Sequence, residues 1–261
     1  MDINNHILNT SNLSVGYTSK KEIKTIATNI NLNLKKGELI ALIGANGIGK
    51  STLLRTLIGI QPPLSGNVIL NGKNINEYDS ISFAQNLSIV LTEKLPPSNL
   101  TVFEIIALGR QPYTNWLGNL SDNDISKINE AMELTQITSL SEKKHYEISD
   151  GQLQNVLVAR ALAQDTPLII LDEPTTHLDL LHKVSLFKLL KKLAKETKKC
   201  ILFSTHDIDM AIQISDEMII MTDENVVQDQ PCNFISKGNF ETLFKNEHIA
   251  FDSEKGKFII R

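Results

Sequence analysis

Eight consecutive residues, Gly44-Ala45-Asn46-Gly47-Ile48-Gly49-Lys50-Ser51, fit the spacing GxxxxGK[ST], and those residue types at that spacing hold phosphate. Glycines let backbone N–H groups wrap phosphate oxygens, a lysine reaches the outer phosphates, and a hydroxyl ligates Mg²⁺. The apolar run Leu39-Ile40-Ala41-Leu42-Ile43 enters this loop as a buried strand, and residues 51–58 leave it as a helix. The N-terminus of that helix adds partial positive charge where phosphate would sit. The segment therefore reads as a nucleotide phosphate cradle.

A second chemical group lies more than a hundred residues on. Leu168-Ile169-Ile170-Leu171 is a continuous apolar strand that delivers Asp172 and Glu173 at its carboxyl end, where open parallel sheets place their ligands. Adjacent carboxylates there need a cation or a proton, and Mg²⁺ is the natural counter-charge. Asp172 would support the ion, and Glu173 would orient or deprotonate an attacking water. His206, in Ser204-Thr205-His206-Asp207 after an expected strand over 200–203, is placed to face phosphate. Ser149-Asp150-Gly151-Gln152 precedes a helical stretch over 153–162, so Ser149 can cap a helix whose unpaired N–H groups face outward.

These groups need a scaffold that brings them together. The opening third reads as strands over 13–17, 30–34, 68–70 and 87–91, punctuated by glycines. From 101 to 148 the period is helical: Val102, Ile105, Ile106 and Leu108 form one apolar stripe, and Ile125, Ile128, Met132 and Leu134 follow a cap at Ser121 with Asp124 three residues on. Strands and helices then alternate: Leu168–Leu171, a helix over 181–193, a strand over 200–203, a helix over Ile208–Ile214 and a strand over Glu217–Met221. That order implies a largely parallel sheet with helices on its faces.

Composition narrows the function further. The 261 residues suffice for one large domain or two lobes. A formal net charge of −4 argues against broad adhesion to nucleic acid. No apolar run approaches the roughly 20 residues of a membrane-spanning helix, and the first residues lack the pattern of a secretory signal. Cys200 opens an apolar run and reads as a buried structural thiol, which suits a reducing cytoplasm. Lys188, Lys191, Lys192, Lys195, Lys198 and Lys199 read as the solvated face of a helix whose apolar side carries Leu186, Leu189, Leu190 and Leu193.

Together these segments resemble the nucleotide-binding subunits of ABC transporters over nearly the whole chain. By that resemblance residues 44–51 are the Walker A loop, 148–152 the signature segment, 168–173 the Walker B strand, 176–179 the D-loop and His206 the switch histidine. The fold implied is α/β, the ABC-ATPase form of the P-loop NTPase fold: a mixed, largely parallel sheet core with an inserted helical subdomain and an N-terminal antiparallel β part. It would be a single ABC ATPase domain over 1–261, with core 1–92 and 161–261 and a helical subdomain near 93–160. ATP and Mg²⁺ are the implied cofactors. Tyr17 would stack on adenine; Gly44, Asn46, Gly47, Gly49, Lys50, Ser51 and Thr52 would surround its phosphates. Ser149, Gly151, Gln152 and Asp179 would act across a head-to-tail homodimer. Ser51 and Asp172 would hold the metal, and Glu173, His206 and Lys50 would carry catalysis.

This chain departs from the family at two places. Where the family ends the strand at 87–91 with a metal-contacting glutamine, it has Thr92, whose hydroxyl can ligate Mg²⁺ with a shorter reach. The signature carries Asp150 before Gly151, and its carboxylate is expected to point away from phosphate. That variant, with Thr101-Val102-Phe103-Glu104 through Gly109-Arg110-Gln111-Pro112-Tyr113, resembles importers of the iron-siderophore, haem and cobalamin type. The resemblance implies a peripheral subunit on the cytoplasmic face of the inner membrane. Its partners would be an integral permease, contacted near 93–120, and indirectly an extracytoplasmic substrate-binding protein. Tyr113, Trp116 and Leu117 are either anchors for that permease or packing within the helical lobe. The alternative reading is a soluble ATP-switched scaffold or assembly ATPase with weak hydrolysis.

Overall fold

A computed structural model describes residues 5–18, 22–91, 96, 98–241, 243 and 249–260. Thr92, expected near the metal, lies outside them.

An antiparallel sheet is formed by β1 (His6–Thr18), β2 (Ile23–Ile30), β3 (Asn33–Lys35), β5 (Ser65–Leu70) and β6 (Lys73–Asn74). Its order is β2-β1-β5-β6, with β3 also paired to β1. The strand expected over 30–34 is instead split between β2 and β3, because at residues 31 and 32 side chains take the place of the ladder: Asn12 N–H donates to Asn31 Oδ1 and Leu32 N–H to Thr10 Oγ1. A second sheet has the order β11-β10-β4-β9-β8-β7. It is built from β4 (Leu39–Gly44), β7 (Leu87–Val90), β8 (Leu168–Leu171), β9 (Cys200–Ser204), β10 (Glu217–Met221) and β11 (Val226–Asp229). All its pairings are parallel except β10 with β11. Every residue of β4, β8 and β9 is buried, as expected of parallel strands covered on both faces.

The helices are α1 (Lys50–Leu57), α2 (Ser80–Ala84), α3 (Val102–Ala107), α4 (Asp122–Leu134), α5 (Asp150–Ala163), α6 (Leu180–Thr197), α7 (Ile208–Ile214) and α8 (Pro231–Ser236). One core cluster joins the inner residues of α3, α4, α5 and α6 to one face of the second sheet; the other lies between α1, the opposite face of that sheet and the antiparallel sheet. A C-terminal hairpin of β12 (Ile249–Asp252) and β13 (Lys257–Ile260) stacks Phe251 against Phe240, at 4.7 Å between ring centroids. Phe258 meets Phe251 edge-on.

Two residues of the expected apolar stripes are exposed. Leu108 is 40 % exposed because α3 ends before it and the chain tightens into a 3₁₀ turn over Leu108–Tyr113, rotating it off the buried face. Ile125, on the first turn of α4, is 39 % exposed. The lysine face of α6 is not uniformly solvated either. Lys191 and Lys195 both pair with Asp216, at 2.7 and 3.1 Å, and Lys199 pairs with Asp165 at 2.9 Å. Asp216 in turn accepts from the Leu39 N–H at the start of β4, so Lys191 and Lys195 brace the strand that carries the phosphate loop. Cys200 is buried, and that burial drives its thiol pKa far upward.

A buried ion pair among the described residues fastens the helical region. Arg110 donates to Asp124 Oδ1 at 2.8 Å and to the Ala163 carbonyl at 2.7 Å, with both charged side chains under 5 % exposed. Its guanidinium also stacks on Tyr113, 3.9 Å from the ring centroid. Asp124 additionally closes the capping box of α4 with Ser121. Removing the arginine would leave a buried carboxylate uncompensated, so Arg110→Ala is expected to cost about 3–5 kcal/mol. Urea unfolding checks this; a loss under about 1 kcal/mol, the scale of an exposed pair, would refute the role.

Candidate nucleotide site

The phosphate loop hangs between β4 and α1. Gly49 sits at φ 115°, and a Cβ there would run into Ile26 of β2 and Met221 of β10, so glycine is required both by conformation and by space. The Lys50 side chain is buried and donates to the Gly44 carbonyl at 2.9 Å and the Ala45 carbonyl at 3.2 Å. Burial lowers its pKa, while the nearby Glu173 and Asp172 charges act in the opposite direction. The ammonium is thus held at the loop with few donors committed elsewhere. Ser51 is half-buried beside it. Tyr17, near the end of β1, shares a hydrogen bond between its hydroxyl and Thr52 Oγ1 at 2.6 Å, and the residue is 45 % exposed.

The carboxylates arrive from β8, next but one to β4 in the sheet. Ser204, the last residue of the intervening β9, organises both: its Oγ donates to Asp172 Oδ1 at 2.6 Å and accepts from the Glu173 N–H at 2.8 Å. Glu173 adopts φ 47°, a left-handed conformation uncommon for a residue with a side chain. This turn sends its carboxylate toward His206, whose Nε2 lies 2.7 Å from Glu173 Oε1; with Glu173 ionised, the shared proton belongs to Nε2. Thr176 Oγ1 donates to the other oxygen at 3.3 Å. The loop is tied down through Thr175 Oγ1 to Asp207 Oδ2 at 2.8 Å, and Asp207 also receives Lys183 Nζ at 2.8 Å.

The loop from Gly44 through Asn46, Gly47 and Gly49 to Thr52, with Asp172, Glu173 and His206, therefore follows the carboxyl ends of the parallel strands β4, β8 and β9, and Tyr17 joins the loop from the antiparallel sheet through Thr52. Ser149, Gly151, Gln152 and Asp179 form a separate group; among the described residues no hydrogen bond joins them to the first. Ser149 caps α5, with the Gln152 side chain reaching back to the Ser149 N–H at 3.0 Å. Asp150 is exposed on the first turn of that helix. Asp179 caps α6 through the His182 N–H at 2.9 Å. Sequence reasoning assigned no role to Ser204, Thr175, Asp207 or His182. Ser204 and Asp207 flank the histidine within Ser204-Thr205-His206-Asp207, and that position was the available signal.

An ammonium at a phosphate loop facing a strand-end acid pair and a histidine is the arrangement of a nucleotide-hydrolysing enzyme. The chain matches the family model described as ABC transporter over residues 27–176. It belongs to that family and is an ATP-binding ABC ATPase with the cassette fold. It is 38 % identical to the iron(3+)-hydroxamate import ATP-binding protein FhuC of Bacillus subtilis, over 85 % of this chain and 81 % of that protein. It is 37 % identical to the achromobactin transport ATP-binding protein CbrD of Dickeya dadantii, over 89 % and 85 %. Among solved structures it resembles a dimeric ATP-binding cassette in a post-hydrolysis state bound to ADP and Pi, with TM-score 0.72, 29 % identity, and 86 % and 99 % of the two chains covered.

Proposed function

We propose that this protein is the ATP-hydrolysing subunit of an importer that takes up an iron chelate of the siderophore class. The Glu173–His206 hydrogen bond, formed at the strand ends opposite Lys50, carries the hydrolytic part of the reading. FhuC and CbrD support the cargo. Lys50 neutralises the outer phosphates and the N–H groups of residues 45–51 wrap them. Tyr17 stacks on adenine after releasing Thr52. The Ser51 hydroxyl and the Asp172 carboxylate are hard oxygen donors that suit Mg²⁺, and they would hold it. Mg²⁺ held there would supply neutralisation of the phosphate charge. Glu173 takes the proton of the attacking water, and His206 holds that carboxylate and faces the γ-phosphate.

Two copies are proposed to sandwich ATP head to tail, so that Ser149, Gly151 and Gln152 of one close on the nucleotide of the other. No helix among the described residues is long and apolar enough to cross a membrane. The membrane path is proposed to lie in an integral permease, as the import and transport relatives suggest, with this subunit peripheral on its cytoplasmic side and a substrate-binding protein outside. The helical lobe near 93–160 is the proposed contact region. Trp116 and Leu117 are 91 and 61 % exposed, which favours anchors over internal packing, whereas Tyr113, 38 % exposed, also packs on Arg110. Gentle solubilisation of membranes and capture of Glu173→Gln protein with Mg²⁺-ATP should co-purify a many-spanning permease. Adding Trp116→Ala should cut that recovery severalfold while leaving ATP binding unchanged. Recovery of soluble partners alone would favour an ATP-switched scaffold.

A further inference from the structure

His182 is used by none of the roles above, yet its ring bridges two of the segments they need. On one edge, Nδ1 lies 2.7 Å from Asp179 Oδ1, the same oxygen that accepts the His182 N–H and caps α6. The opposite edge lies against Gly151 in the first turn of α5. A Cβ on Gly151 would strike His182 Cδ2, and would lie 3.0 Å from Cγ and 3.1 Å from Nε2. The imidazole thus occupies the space that any other residue at position 151 would fill.

Asp179 closes the loop that begins at Glu173. Within it, Thr176 binds the Glu173 carboxylate and Thr175 binds Asp207, next to His206; Leu178 N–H then bonds back to the Thr175 carbonyl. A continuous set of contacts therefore runs from the Glu173 carboxylate through Thr176, the loop and Asp179 to the His182 ring, and from the ring to Gly151. Both Asp179 and His182 have more than half of their side chains exposed, so little of the hydrophobic core depends on this pair.

We infer that His182 is a positioning residue for ATP hydrolysis: its ring, held by Asp179, sets the first turn of α5 against the loop that aims Glu173, coupling the two within one subunit. The inference rests on the proposed assignment of Ser149, Gly151 and Gln152 to the neighbouring subunit's nucleotide. When that turn moves onto phosphate, the ring moves with it and shifts the loop leading back to the hydrolytic carboxylate. ATP held by the phosphate loop alone does not engage this contact.

The test is steady-state hydrolysis of Mg²⁺-ATP by the full chain at concentrations that support its dimer, for His182→Ala, Gly151→Ala and the double variant, beside wild type and Glu173→Gln. His182→Ala is expected to lower kcat about tenfold, within the range that ångström-scale misplacement of reacting groups produces. KM for ATP and nucleotide affinity of the single subunit should stay within about twofold, because the loss falls on the transition state. Gly151→Ala should lower kcat in the native background, and by a factor at least about fivefold smaller in the His182→Ala background, where no ring opposes the new methyl. An unchanged kcat for His182→Ala, or equal losses from Gly151→Ala in both backgrounds, overturns the inference. If His182→Ala does not fold, His182→Asn decides: its amide keeps the bond to Asp179 but does not reach Gly151, so wild-type kcat overturns the coupling and a lowered kcat at unchanged KM supports it. A wild type that hydrolyses no ATP, or a Glu173→Gln protein that turns over normally, sinks the functional reading and this inference with it. An active wild type, an inactive Glu173→Gln and an unperturbed His182→Ala sink the inference alone.

Discussion

Glu173→Gln lowers kcat by about 10²–10⁴-fold, the contribution of a positioned general base, and leaves ATP binding intact. The amide has the size of the carboxylate, and its oxygen still accepts from His206 Nε2, so the 2.7 Å contact and the turn at Glu173 persist. Only the capacity to take the water's proton is lost. Closed, ATP-bound dimers should then accumulate, because the step that reopens them is blocked. Light scattering in Mg²⁺-ATP would report twice the subunit mass for the variant and a smaller average for wild type. Turnover within about threefold of wild type would be too small a change for a general base and would remove Glu173 from that role.

Lys50→Ala acts earlier, on binding. The ammonium is buried, its alternative partners are two loop carbonyls, and its pKa is depressed by burial. An arriving triphosphate supplies the anionic partner that this desolvated cation lacks. Truncating one member of a buried, hydrogen-bonded charge pair costs about 2–5 kcal/mol, roughly a 30-fold or greater loss of nucleotide affinity. Fluorescent-nucleotide titration measures it directly. Unchanged affinity, with hydrolysis alone impaired, would place the lysine's contribution entirely in the transition state.

The parts of the site that were legible in the sequence are those where chemistry restricts residue type. A strand, a glycine-rich loop and a helix around Lys50 admit few alternatives, and an uninterrupted apolar strand ending in Asp172 and Glu173 is equally unambiguous. Ser149 and Ser121 announced their helices, because a cap is a local event three residues long. What escaped notice depends on contacts between distant segments. Ser204 is an ordinary serine until β9 is laid beside β8, where one hydroxyl serves Asp172 and Glu173 together. Asp124 reads from the sequence only as the capping partner of Ser121, and nothing local marks Arg110 as the buried cation it pairs with. The register of Leu108 was misread because a helix that tightens to a 3₁₀ turn changes period without changing composition. The C-terminal hairpin is held by stacking among Phe240, Phe251 and Phe258, which leaves no helical or alternating pattern to read.

The order of strands in the second sheet has a consequence for biosynthesis. β4 carries the phosphate loop, yet both of its neighbours, β9 and β10, belong to the last quarter of the chain. At about 5–20 residues per second, the apolar segment Leu39–Gly44 emerges from the ribosome roughly ten seconds or more before either strand exists to pair with it. The nucleotide site is therefore a late product of translation. A nascent chain halted before Cys200 can hold the antiparallel sheet and helical segments, but not a loop rigid enough to grip ATP. Ribosome-stalled chains of increasing length should gain nucleotide protection abruptly, after Met221 clears the exit tunnel.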